Sequence, residues 1–266
     1  MTALAPSLPT PRLVRAELLK LRKRRGLVAI TACLTVGAAI VPYAILAILH
    51  AANPAHHGPA GGVENLGHVL LVLSMLGGVA AILVGATAGA GDLAAGVFRE
   101  LVVTGRLRRA LFRARIPGGL AFLLAFVAVG YALAAVASVV FAGPLPAPST
   151  GLLATAGTWL VLSCTFWFAL GLGVASLVGS RSMTIGGLLA FRLAVSPIVL
   201  SIGALGVGRE LVPGAALERL APHAIREFTR QSGPIPMSLA AAELVLLVWA
   251  AAALAFGAWR TMTRDA

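Results

Sequence analysis

Long apolar runs broken by short polar stretches divide this chain of 266 residues into a regular alternation. Six runs, at about 27–49, 66–90, 118–142, 152–179, 184–206 and 238–259, are almost free of charge. Each reaches the roughly 20 residues that a helix needs to cross ~30 Å of hydrocarbon. Within a bilayer a helix satisfies its own backbone, so the pattern predicts six spanning helices and no strands. The runs take up more than half the chain, which is therefore read as one membrane domain, 1–266, with no soluble domain of ordinary size.

A different period precedes the first run. Over 10–25, Val14, Leu18 and Leu21 recur at helical spacing with Leu13 alongside, while Arg12, Arg15, Lys20, Arg22 and Lys23 cover the other side. Thr10 can cap this helix, and Pro11 suits its first position, where a missing N–H costs nothing. Such an amphipathic helix lies in the headgroup plane with its cations toward anionic lipid.

Most connections are tight. The stretch 50–65 is turn-rich, Gly143-Pro144-Leu145-Pro146-Ala147-Pro148 is a stiff turn, and Ser180-Arg181-Ser182-Met183 forces the fourth and fifth spans into an antiparallel hairpin. Small residues at four-residue spacing, Gly85 with Gly89 and Gly171 with Ala175 and Gly179, permit close helix approach. Two connections are longer. In 91–117, Phe98, Leu101 and Val102 share a helical face and Gly105 suits a helix end. A second short helix follows, with Leu107, Leu111 and Ala114 facing one way and Arg108, Arg109 and Arg115 elsewhere, before Pro117 opens the third span. In 207–237, Ala215–Ala221 and Pro222–Arg230 read as two short helices, either dipping back into the bilayer or lying on its surface.

Charge orients the pattern. Sixteen of the 21 Lys and Arg residues fall before the first span, in 91–117, at Arg181 and after the sixth span, all on one side of a six-span chain. Cytoplasmic segments accumulate Lys and Arg, so both termini are expected inside. This bias also accounts for the formal net charge of +12, with anionic lipid rather than nucleic acid as the counter-surface. Residues 1–11 show no cleavable leader, and the first span reads as a signal anchor. Cys33 and Cys164 lie inside spans as small apolar fillers.

Catalytic motifs are missing from the sequence. It contains no G-x-x-x-x-G-K-[ST], no H-E-x-x-H and no G-x-S-x-G. His50, His56 and His57, with Glu64 as the only nearby acid, make a poor metal site on a loop. Two charges fall inside spans, Arg192 about eight residues into the fifth and Glu243 about five into the sixth. Burying such a charge costs at least ~2.5 kcal/mol, so the two either pair or line a path for a polar or anionic cargo.

The order of parts resembles the permease subunits of type-2 ATP-binding-cassette (ABC) transporters, mostly bacterial exporters. The resemblance rests on the basic helix Arg15-Ala16-Glu17-Leu18-Leu19-Lys20-Leu21-Arg22, on six spans with both ends inside, and above all on Gly89 to Arg106. There an acidic residue, a glycine, an apolar helix, a Ser/Thr turn and arginines follow one another, with Asp92 where many members carry Glu. The resemblance implies an all-α membrane protein with a cytoplasmic coupling helix between spans two and three and short external helices between spans five and six. It implies docking of a separate ATPase on Asp92, Gly96, Val97, Phe98, Arg99, Glu100, Leu101, Val102 and Thr104, and an interfacial helix carrying Arg15, Leu18, Lys20, Leu21 and Arg22. ATP and Mg would bind the partner subunit, with no cofactor on this chain, and a second permease chain would complete the path in the bacterial cell membrane. Competing expectations are a six-span secondary carrier or non-transporting membrane subunit, and an intramembrane enzyme. Serines within spans have no histidine at matching depth, which disfavours the last.

Overall fold

The computed structural model describes residues 11–96, 107–229 and 237–263. Among these every regular element is a helix, with no strand. A short helix α1 (Pro11–Lys23) precedes α2 (Arg25–Ala52), α3 (Val63–Ala94), α4 (Arg108–Val140), α5 (Thr150–Val178) and α6 (Arg181–Ser201). A 3₁₀ turn, Gly203–Leu211, leads into the short helices α7 (Pro213–Leu220) and α8 (His223–Thr229), and α9 (Leu239–Thr263) closes the order. Six of these helices, α2 to α6 and α9, are long and apolar enough to cross a membrane. The chain reads as a multi-pass membrane protein.

Two expectations are corrected at helix ends. The predicted short helix after 106 and the third span are one element, since α4 runs unbroken through Pro117. A proline inside a membrane helix is tolerated because neighbouring groups satisfy the freed carbonyl. The fifth span ends at Ser201 rather than 206, where the backbone turns at Ile202 into the 3₁₀ segment. Two wide π-turns, Cys33–Gly37 in α2 and Phe191–Val195 in α6, lie just ahead of Pro42 and Pro197. A proline ring pushes against the carbonyl four residues earlier, and a wide turn there relieves it.

The bundle is built around α3 and α5, whose apolar stretches are two-thirds buried, whereas those of the outer spans are mostly exposed. Small residues let the two backbones touch, as their spacing predicts. A Cβ on Gly89 would lie 2.6 Å from the Leu172 carbonyl oxygen, and one on Gly171 would lie 2.9 Å from that of Ile82. Gly179, at φ 79°, closes α5 in the left-handed region, and Ser180 caps α6 directly after it. That turn makes α5 and α6 the expected hairpin.

Hydrogen bonds sort the connections between two ends. Arg108 at the start of α4 donates to the Met262 carbonyl at the end of α9, 3.2 Å away. At the opposite end Gly61 donates to Phe141 and Val63 to Pro146, at 2.8 and 3.2 Å, so the 53–62 and 141–149 loops lie together. The described stretch 202–229 of the α6–α9 connection packs into the bundle. Trp159 donates its indole N–H to the Leu217 carbonyl at 2.9 Å, and Trp249 donates to the Leu211 carbonyl at 3.0 Å. Both indoles sit on the order of 10–15 Å along their helices from this end.

Candidate functional site

The densest polar cluster lies where α1, the end of α3 and the start of α4 meet. Asp92, in the last turn of α3, is buried, and its Oδ2 accepts from Arg115 Nη2 of α4 at 2.9 Å. Arg115 is 1% exposed, the largest fully buried side chain among the described residues, and its Nη1 also donates to the Gly89 carbonyl at 3.1 Å. Ser176 of α5 donates to that same carbonyl at 3.4 Å. From α1, Lys20 Nζ reaches Asp92 at 3.0 Å and Glu17 at 2.7 Å. Four charges from three helices thus alternate in sign along one chain of contacts, Glu17, Lys20, Asp92, Arg115.

Packing beneath the charges explains how α1 reaches them. A Cβ on Gly118 of α4 would lie 2.8 Å from that of Glu17 and 3.1 Å from the Val14 carbonyl, so α1 rests directly on the α4 backbone. Leu21 is buried, Leu18 packs against the core, and Arg12, Arg15, Arg22 and Lys23 stay exposed. Helix α1 spans Pro11–Lys23 and turns Leu18 and Leu21 of the expected apolar stripe toward the bundle. The amphipathic reading misplaces Lys20, which turns inward because Asp92 and Glu17 offer it carboxylates.

The cluster stands at both roots of 97–106. Asp92 lies just before that stretch, with Gly96 at φ 70° ending the helical turn, and Arg115 lies just beyond it. Val97, Phe98, Arg99, Glu100, Leu101, Val102 and Thr104 lie outside the described residues. The sequence reading missed Arg115 and Glu17 as site residues, having placed Arg115 with Arg108 and Arg109 away from the apolar face of a short helix. The signal was Asp92 itself, since an acid at the end of an apolar run needs a buried counter-charge.

A second polar position lies mid-bundle. Arg192, in the π-turn of α6, donates to the Ser74 carbonyl at 2.9 Å and the Met75 carbonyl at 3.4 Å, and its guanidinium lies 4.5 Å from the centre of the Trp167 ring. Gly78 makes room, for a Cβ there would collide with the guanidinium. Arg192 therefore joins α3, α5 and α6. Among the described residues no carboxylate lies within ion-pairing distance of it. Glu243 instead faces a separate groove of about 420 Å³ between α4, α5, α7 and α9. The structure does not bring Arg192 and Glu243 together. Among the described residues, no three of His, Cys, Asp and Glu converge to hold a metal ion.

Comparison with protein-family models and with curated proteins returns no match for this chain. The functional reading rests on the geometry.

Proposed function

We propose that this chain is the permease subunit of a type-2 ABC transporter, an exporter of the bacterial cell membrane, with both termini cytoplasmic. On this reading Asp92–Thr104 is the ledge on which a separate ATPase docks, α7 and α8 are external re-entrant helices, and a second permease chain completes the path. The observation that carries it is the Glu17–Lys20–Asp92–Arg115 network, which ties the pre-span helix to both roots of 97–106. A buried, paired cluster resists separation, because removing one partner of such a pair costs about 3–5 kcal/mol. A push on 97–106 would therefore pass into α1, α3 and α4 together. Arg192, fixed at mid-depth, is the natural polar contact on the cargo path.

The test has two arms. Affinity purification of the tagged chain from native membranes in Mg-ATP should recover an ATPase with a phosphate-binding loop whose turnover this chain stimulates. Phe98→Asp with Leu101→Asp should abolish both association and stimulation. Recovery of no ATPase, or stimulation untouched by the double change, would overturn the reading. For topology, His57→Cys and Ala147→Cys should react with an impermeant maleimide applied outside intact cells, and Thr263→Cys should not.

A further inference from the structure

The groove holding Glu243 has a polarity that packing alone does not require. It runs beside α9 from Glu243 to Leu254, about 16 Å along that helix. Ile116 of α4, Leu162 and Phe166 of α5 and Leu220 of α7 close its sides. Among the described residues Glu243 is the only charged one lining it, and Thr165 the only other polar one. The carboxylate stands about 6 Å from the start of α9, at the end where the chain turns, and the deeper lining is apolar apart from Thr165. Among the described residues Glu243 makes no ion pair and no hydrogen bond. The volume lies within the range of small-molecule sites, which combine apolar walls with a few polar groups that fix orientation.

We infer that this groove binds an amphipathic cation, an ammonium head on Glu243 with its alkyl body lying along α9 toward Leu254. A single carboxylate at the mouth of an apolar slot repels anionic heads and offers neutral ones a hydrogen bond without an opposite charge, so an ammonium, which supplies both, is the matching chemistry. An alkylammonium stays protonated at neutral pH, as lysine does. The head would sit at headgroup level and the tail parallel to the lipid chains, so the ligand can enter sideways from the bilayer. This site goes beyond the transport reading and needs neither a partner ATPase nor turnover, so each can fail without the other.

The full-length protein in phosphatidylglycerol nanodiscs is irradiated with hexadecylamine carrying a mid-chain diazirine, and in parallel with the hexadecanol counterpart. Amine adducts are expected on 162–166 and 246–254, exceeding alcohol adducts about tenfold, the ratio that one favourable charge contact supplies. Glu243→Gln, an exposed change that should spare folding, is expected to bring the amine down to the alcohol level. Ala250→Phe, which fills the slot and leaves the carboxylate, should block both probes. Equal labelling by the two probes on the wild-type protein overturns the proposal, as does full amine labelling of either variant. Adding phosphatidylethanolamine then separates the sources: competition assigns the site to the bilayer's own aminolipid, and its absence to a free cationic amphiphile. Both results accord with the site.

Discussion

Arg115 and Asp92 lie 23 positions apart in sequence and meet at 2.9 Å, on the two helices that flank 97–106. Each is almost wholly enclosed, and Asp92 is shared with Lys20, whereas among the described residues Arg115 has no second carboxylate. Removing either member is therefore not equivalent. Asp92→Asn leaves two cations around a neutral amide and should cost about 3–5 kcal/mol of stability. Arg115→Gln leaves Lys20 between two acids and should cost less. Paired replacement, Asp92→Leu with Arg115→Met, should recover most of the loss by restoring apolar packing. Thermal melts in detergent give the order, and a less stable Arg115→Gln protein would refute the sharing of Asp92.

Arg192 presents the opposite case, a cation held by main-chain carbonyls whose own helices satisfy them already. Arg192→Leu removes a charge that costs at least ~2.5 kcal/mol to hold at membrane depth, so the melting temperature should stay level or rise. Stimulation of the partner ATPase should fall if the guanidinium faces cargo. A variant that melts earlier yet keeps full stimulation would make Arg192 a plain structural tie.

Contact between α3 and α5 backbones sets a third expectation. At Gly85 any side chain would run into the Phe168 carbonyl, and a Cβ would lie 2.9 Å from the Leu172 nitrogen. Gly85→Leu should destabilise by about 3 kcal/mol or more, since rigid backbone cannot move aside. Gly26→Ala, where nothing lies within 4 Å, is the matched control and should be close to neutral. Monodisperse yield after purification separates the two.

The descending segment 211–220 hangs from two indoles. Trp249→Phe frees the Leu211 carbonyl, at a loss of about 1 kcal/mol for the bond, and should loosen the 3₁₀ turn. With Cys33→Ser as background, a cysteine placed at Leu211 should react faster with a water-soluble maleimide once Trp249 is Phe. An unchanged rate would show that packing rather than the indole holds the segment.

Much of this architecture is legible in the residues because lipid leaves the backbone few options. Run length alone locates the six long helices, and glycine spacing identifies where α3 meets α5. Helix ends were less legible. Pro117 reads as a helix start because proline suits that position, yet the fold carries it inside α4. Burial of Arg115 was hidden for the same reason: on a short separate helix it falls away from the apolar face of Leu107, Leu111 and Ala114, whereas on the continuous helix it meets Asp92. Depth along the spans placed Arg192 and Glu243 within reach of one another, but rotation about each axis decides contact. The π-turn in α6 aims Arg192 at Trp167, while Glu243 faces the groove.

The knot formed by Glu17, Lys20, Asp92 and Arg115 has a formal charge of zero. An electric field across the bilayer acts on each elementary charge with about 2.3 kcal/mol per 100 mV, and on a neutral body moving as one it does no net work. Displacement handed on through this joint would therefore proceed equally in energised and depolarised cells. Any voltage sensitivity in this molecule would have to arise elsewhere, at a lone charge such as Arg192.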